Sequence, residues 1–533
     1  MDSFAGRWVM AFFLCGTIVA TSYADMQNGM PEVRGVNLGG WLVVEGWIKP
    51  SLFDGIPNSD MLDGTKVQFK STSLQKYVSA FNGGGQNVTF DRDIASSWET
   101  FRLWRVSSEI FQLRTFGGQF LASDGEGGPV SATDESATGR GTFTFERYQN
   151  RVHIKLSNGN YLQANSAGQL TADYPGRPGW DDHAATFEMT IVANDLHGDY
   201  QLANGYGPDK STSVLSGHRN SFVTQEDFRF LSNHGINTVR IPVGWWIASD
   251  PTPPPPFVGG SLASLDKAFL WAQTYGIKCI VDLHAAPGSQ NGMEHSASRD
   301  GSADWAKSPK YIFDSLNVIE FLASRYAKHP SLLGIELINE PSASEVPIDV
   351  LISYYSKGYE IVRNYSSTAY VILCQRIGNV DPLELYHANI GFSNVVLDLH
   401  YYNLFDNFFS NMTAEANIEF IYESRLAQVQ ALNSANGPLV FVGEWVNEWN
   451  VQSASKFDYQ DFGDAQLQVY DQASFGWCYW TLKNARKHWD FEWNILNNYL
   501  QLGASSTKLN MGSTYFLILS LWACLYLHHV TQQ

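Results

Sequence analysis

A chain of 533 residues is long enough for two or three domains with ample core. Its 35 basic and 53 acidic side chains leave a net charge of −18, which argues against nucleic acid or an anionic membrane surface as the main partner, since both need a cationic footprint. Aromatic residues make up 14% of the chain, which excludes low-complexity disorder.

The first segment in chain order reads as a processing signal. Arg7 precedes an apolar run from Val9 to Ala20, and Ser22 and Ala24 supply small residues for cleavage. This is the pattern of a secretory signal peptide over 1–24, and the run is too short for a membrane anchor that spans the bilayer. Secretion would make Asn87, Asn364 and Asn411, each in an Asn-X-Ser/Thr triplet, glycan acceptors. The apolar stretch Gly35–Val43 then reads as a first β-strand.

From 64 to 192 the texture changes to Gly, Ser and short alternating runs, an all-β signature. It also repeats. Tyr77-Val78, Phe120-Leu121 and Tyr161-Leu162 recur at 43 and 41 residues, and Phe101, Phe143 and Phe187 at 42 and 44. Phe69, Leu113 and Ile154 recur at 44 and 41. Three copies of about 42 residues predict a threefold β-trefoil inserted after the first strand.

Beyond about Ala193, continuous apolar runs alternate with helical patterns such as Ser315–Lys328 and Ile348–Asn364. The runs are Thr238–Val243, Lys278–Leu283, Leu333–Ile338, Tyr370–Gln375, Val395–His400, Leu439–Gly443 and Gly476–Thr481. Such runs are expected of parallel strands buried on both faces. With the first strand they predict an α/β fold, a (β/α)8 barrel over 31–62 and 193–500. The Pro251–Pro256 stretch reads as a rigid surface loop. Cys279, Cys374 and Cys478 lie in apolar runs and read as small buried hydrophobes. No spacing suggests a disulfide scaffold or a metal site. At the C-terminus, small residues Gly503–Ser506 precede a spacer and an apolar run, Tyr515 to Leu527. This resembles a lipid-anchor attachment signal over 505–533, although its polar end, His528–Gln533, departs from that pattern. A terminal amphipathic helix is the alternative.

Two apolar strands end in carboxylates. One is Gly334-Ile335-Glu336-Leu337-Ile338-Asn339-Glu340-Pro341, the other Leu439-Val440-Phe441-Val442-Gly443-Glu444-Trp445. The two glutamates are 104 residues apart, about three barrel repeats, which puts them across one mouth on the fourth and seventh strands. A carboxyl pair across a pocket suits glycoside hydrolysis: one protonates the leaving oxygen and the other attacks or activates water. Acetal hydrolysis needs no cofactor, and neither cofactor nor metal is expected. Other predicted strand ends bring Arg240, His284, His400, Tyr402 and Trp480 to the same place, with Glu45 just past the first strand. A cation at Arg240 beside a carboxylate keeps it ionised, as a nucleophile requires. Glu336 reads as a structural polar group inside the barrel and Glu448 as a loop surface residue.

The segments Arg34-Gly35-Val36-Asn37-Leu38-Gly39-Gly40-Trp41, Asp282 to Gly292, Asn339-Glu340-Pro341 and Gly443-Glu444-Trp445, in this order, resemble glycoside hydrolase family 5, and within it the exo-β-1,3-glucanase (glucan 1,3-β-glucosidase) branch. The repeat resembles the fascin-like trefoil found in plant members of that branch. The resemblance implies a retaining mechanism with Glu340 as acid/base and Glu444 as nucleophile. Asn339 would hold the 2-hydroxyl. Arg240, His284, His400, Tyr402 and Trp480 would surround the sugar at the cleavage point. Glu45 and Asn291 would bind the terminal sugar and make cleavage exo. Ala285 departs from the usual Gly. The implied protein is a secreted, monomeric hydrolase of β-glucans or β-glucosides, at the cell wall or on a lipid anchor at the outer membrane leaflet. Alternatives are a transglucosidase on the same site and a non-catalytic glucan-binding protein working through the trefoil.

Overall fold

The computed structural model describes residues 32–502 except 124–127, 382, 387–391 and 434–436. The expected signal segment (1–24) and anchor signal (505–533) lie outside the described residues.

Eight parallel strands close into a barrel: β1 (Val33–Asn37), β2 (Thr238–Gly244), β3 (Lys278–Ala285), β4 (Leu332–Glu336), β5 (Tyr370–Cys374), β6 (Val395–Asn403), β7 (Leu439–Trp449) and β8 (Gly476–Tyr479). β1 pairs with both β2 and β8, so no edge remains. The apolar runs are buried along almost their whole length, as strands between a packed interior and an outer ring of helices must be. At the strand starts the interior is filled by Val33, Ile280, Ile372, Val396, Phe441 and Cys478. One layer higher it turns polar, with Asn37, Arg240, Asp282, Glu336 and Asp398 all fully buried. Helices Pro309–Tyr326 and Ile348–Tyr365 cover the outside where the helical patterns were read. Among the described residues no helix is long and apolar enough to cross a membrane.

Two sequence expectations need correction. The first strand stops at Asn37, not Val43, because the chain turns at Gly39-Gly40, where Gly40 takes φ +70. Leu38 and Trp41 to Val44 are apolar because the turning segment is itself buried. Glu448 is not in a loop: β7 runs on to Trp449, and Glu448 is half-buried on it, accepting from Tyr459 Oη at 3.2 Å.

The segment after β1 is all-β. Twelve strands from Lys66–Ser71 to Phe187–Ala193 form one antiparallel system. Six of them close a ring: Lys66–Ser71, Phe101–Arg105, Ile110–Arg114, Phe143–Tyr148, Arg151–Leu156 and Phe187–Ala193. The other six pair as three hairpins. The repeated positions form its core: Phe69, Leu113 and Ile154, then Phe101, Phe143 and Phe187, are all buried in one cluster. Cys279, Cys374 and Cys478, the cysteines among the described residues, are free and buried.

Candidate active site

The C-terminal ends of the barrel strands carry the polar residues. Burying them in an apolar shell is costly without partners, and most have several. Arg240, on β2 and fully buried, organises the floor. Its Nε donates to Glu336 Oε2 (2.6 Å) and its Nη2 to Glu336 Oε1 (2.9 Å) and Asn339 Oδ1 (2.8 Å). Its Nη1 donates to Asn37 Oδ1 (3.0 Å) and Glu444 Oε1 (3.1 Å), and Asp282 lies 3.1 Å from Nη2. One guanidinium thus ties together residues from β1, β3, β7 and the chain around the end of β4. Burial pushes Glu336 well up, with Asp282 and Asp398 adding to it and Arg240 opposing.

Glu444 sits on β7. Besides Arg240 it accepts from Tyr402 Oη, on β6, at 2.6 Å. Glu340 lies four residues past the end of β4, at φ +43, a left-handed backbone that a non-glycine residue adopts only when its surroundings hold it. Two contacts do so: its N–H donates to Cys374 Sγ (3.3 Å), and its carbonyl accepts from Asn291 Nδ2 (3.0 Å). Its carboxyl is flanked by two imidazoles. His400 Nδ1 is 2.6 Å from Oε1, and His295 Nε2 is 3.3 Å from Oε2. His400 Nδ1 is also 3.4 Å from Glu444 Oε2, and the ligating atoms of Glu340, His400 and Glu444 all lie within 4.8 Å of one another.

Burial and the Glu340 charge push Glu444 up to about 7, against His400, Arg240 and the Tyr402 hydrogen bond. Burial also opposes ionisation of Glu340, yet the hydrogen bonds and charges of His295 and His400 hold it well below the usual carboxylate range. His295 is pushed up to about 9: burial disfavours its charge, but Glu340, Glu45 and Glu444 outweigh that. His284 goes the other way, down to about 4, because burial dominates the pull of Asp282, 2.6 Å from its Nδ1.

The remaining expected residues stand around this pair. His284 stacks on Trp480, ring centroids 5.5 Å apart. Glu45, eight residues past β1, is buried and accepts from Trp47 Nε1 at 3.0 Å; burial pushes it up to about 8. Three buried atoms of this group have no hydrogen-bond partner among the described residues: Glu45 Oε1, His284 Nε2 and Asn339 Nδ2. Such orphans in a polar hollow suit a polyhydroxylated ligand. Asn291 differs. Its Nδ2 already faces the Glu340 carbonyl and His295 Nε2 (2.9 Å), and its Oδ1 accepts from the Met293 N–H (2.9 Å). Its side chain therefore ties the loop after β3 to Glu340.

Sequence reasoning missed His295 and Asn37. Asn37 carried a usable signal, a polar residue ending an apolar strand. His295 carried none, since it stands in an irregular loop three residues beyond the motif that drew notice. A cavity of about 700 Å3 lined by Arg34, His234, Asn237 and Leu502 opens at the other end of the barrel, where β1 and β2 begin, away from both glutamates.

Parts of the chain match known proteins. Residues 204–486 match the family described as Cellulase (glycosyl hydrolase family 5), and residues 58–192 match a domain of unknown function (DUF7910). A probable glucan 1,3-beta-glucosidase A of Aspergillus clavatus is 30% identical over 338 residues, covering 57% of this chain and 79% of that protein. A glucan 1,3-beta-glucosidase of Yarrowia lipolytica is 30% identical over 330 residues, covering 55% and 78%. Among solved structures, a rutinosidase from Aspergillus niger superposes with a TM-score of 0.50 at 21% identity, over 56% of this chain and 88% of that one, a likeness of fold.

Proposed function

Because the chain belongs to glycosyl hydrolase family 5 and is a glycosidase that hydrolyses O-glycosyl bonds, we propose that it releases glucose from the ends of β-glucans or β-glucosides with retention of configuration. The observation that carries the retaining mechanism is the close approach of the two carboxyls. Inverting enzymes need room for a water, with ~6.5–9.5 Å between the groups, whereas retaining ones keep them ~5–5.5 Å apart. Here the nearest atoms of Glu340 and Glu444 lie within 4.8 Å.

The cations assign the roles. Glu444 is held by Arg240, whose guanidinium never gives up its proton, and by the Tyr402 hydroxyl. Those two donors favour the anion that attack on the anomeric carbon requires, against the burial and the Glu340 charge that push Glu444 up to about 7. Glu340 is held by two imidazoles, which can return a proton to it. In the first step Glu444 attacks the anomeric carbon as Glu340 protonates the departing oxygen, leaving a glycosyl ester. In the second, Glu340 takes a proton from water, which attacks the same carbon and frees Glu444. In the resting site the low proton affinity of Glu340 and the raised one of Glu444 are the reverse of what the first step needs. His400 Nδ1, in contact with both carboxyls, provides the route by which a proton redistributes when sugar displaces water.

Asn339 Nδ2, His284 Nε2 and Glu45 Oε1 supply free hydrogen-bonding capacity for the sugar hydroxyls, with Trp480 as a stacking face. Exo action and β-1,3 preference are part of this reading, supported by the relatives' names, and a monomer is part of it as well. So are a secreted, glycosylated form and a lipid-anchored one at the cell surface; Asn87, Asn364 and Asn411 are all exposed. The insert reads as a β-trefoil, supported by its six-stranded ring, three hairpins and threefold core. Proton NMR of a β-glucoside digest tests the mechanism: β-glucose must appear first, and an initial α-product would end the proposal. Azide should rescue Glu444→Gly by forming the α-glucosyl azide.

A further inference from the structure

The loop that follows β3 connects Glu340 to the all-β insert. At its start Gln290 Nε2 donates to the carbonyls of His284 (2.7 Å) and Asn339 (2.8 Å), and Asn291 holds the Glu340 carbonyl. Halfway along, His295 meets the Glu340 carboxyl. At its end the loop is gripped by one face of the insert. Trp104 Nε1 and Arg114 Nη1 each donate to Asp300 Oδ2 at 2.7 Å. Arg114 Nη1 and Arg102 Nη1 donate to Ser302 Oγ at 2.9 and 3.0 Å. Arg299 stacks 3.6 Å over the Trp104 ring and donates from Nε to the buried Asp63 at 2.8 Å.

The stretch between the two ends is tightly tied. Ser298 Oγ donates to the Ser302 carbonyl (2.8 Å) and accepts from the Gly301 N–H (3.1 Å). Glu294, next to His295, accepts from the His197 N–H (2.9 Å), on the chain returning from the insert. Charge-assisted bonds to a buried carboxylate are strong and geometrically demanding, so the insert dictates where this loop lies.

We infer that the insert is a positioning module for the acid/base: by clamping Asp300 and Ser302 with Arg102, Trp104 and Arg114, it fixes His295 against Glu340. A displacement of about 1 Å at a reacting group can cost a hundredfold in rate, so a long loop left to wander would not serve. The groups that face His295 are Glu340, Glu45 beyond β1, Glu444 on β7 and His284 on β3, with Glu294 beside it in the chain. As long as His295 stays in place, its charge and hydrogen bond hold the Glu340 carboxyl down. Once it drifts, Glu340 keeps only His400, and its proton affinity rises.

This inference rests on Glu340 being the acid/base. Its test uses the full-length protein and a soluble aryl β-glucoside. In Trp104→Phe/Arg114→Met, which retains bulk and removes the donors, kcat should fall about tenfold with KM changed less than about twofold. The alkaline limb of the pH profile should move up by about one unit, as the carboxyl of Glu340 loses a neighbouring cation. His295→Gln should shift the same limb, and adding it to the double variant should shift it no further. Arg114→Lys should restore most of the rate. If the double variant is not recovered folded, Trp104→Phe alone carries the test, with a smaller shift in the same direction. An unchanged pH profile and kcat would overturn the inference whatever happens to stability. So would a loss confined to insoluble glucan, which would make the insert a carbohydrate-binding module. Wild-type protein inactive on every β-glucoside would instead remove the acid/base reading on which the inference stands.

Discussion

Glu444 and Glu340 are chemically identical side chains that their neighbours drive apart. The Tyr402 hydroxyl is one of two protein donors that favour the Glu444 anion by hydrogen bonding. A hydrogen bond to a charged group is worth about 1.5–3 kcal/mol, so Tyr402→Phe should lower kcat by roughly ten- to a hundredfold. Losing that donor also raises Glu444 above its present value of about 7, so the acid limb of kcat/KM should move to higher pH. A pH–rate series on the variant checks both. Glu45 gives a stability prediction with a definite sign. Folding raises it from 4.5 to about 8 by burial, so the folded state binds a proton that the unfolded chain has released. Stability from this group is complete below pH 4.5 and is lost as pH rises through 8. Glu45→Gln should flatten that decline in thermal unfolding measured from pH 5 to 9, while raising KM for the glucoside.

The barrel strands deliver these groups to one end, and here the sequence was most informative. A continuous apolar run that stops at a carboxylate is hard to explain as core, and that reasoning located β4 and β7, although Glu340 lies four residues past the end of β4 and β7 runs on to Trp449 beyond Glu444. It went astray at β1, because apolarity reports burial and not conformation: Leu38 to Val44 are buried without being a strand. It was silent on His295, whose loop has no periodicity to read. The turn after β1 has a job of its own. A Cβ on Gly39 would lie 2.8 Å from Trp480 Cζ2 and 3.0 Å from Thr481 Oγ1. Gly39→Ala must therefore push the indole from its place beside His284. Overpacking of this kind costs about 1–3 kcal/mol. The expected result is a rise in KM several times larger than any fall in kcat, measurable by steady-state kinetics on an aryl glucoside.

The insert and barrel have separate cores, yet they share a polar seam. Threefold spacing of aromatic residues made the insert legible as a repeating all-β unit. Its attachment was not legible, because Asp63, Arg105, Arg114, Arg299 and Asp300 are ordinary charged residues until the fold brings them together. Asp63 lies at the centre of this seam, fully buried, accepting from the Arg105 N–H (3.1 Å), Arg299 Nε (2.8 Å) and Asn204 Nδ2 (2.6 Å). Removing one member of a buried charge pair typically costs about 3–5 kcal/mol, so Asp63→Ala should lower the unfolding free energy by that amount, read from a denaturant titration. The acidic surface, at net −18, suits a neutral polysaccharide or glucoside better than an anionic partner. The proposed mechanism converges on one anomeric carbon between Glu340 and Glu444. A 2-deoxy-2-fluoro-β-glucoside with a good leaving group slows both steps and lets the glycosyl ester accumulate. Mass spectrometry of the digested protein should find one fluoroglucosyl unit on the peptide bearing Glu444. A label on any other residue, or turnover with no trapped ester and an α-configured product, would contradict it.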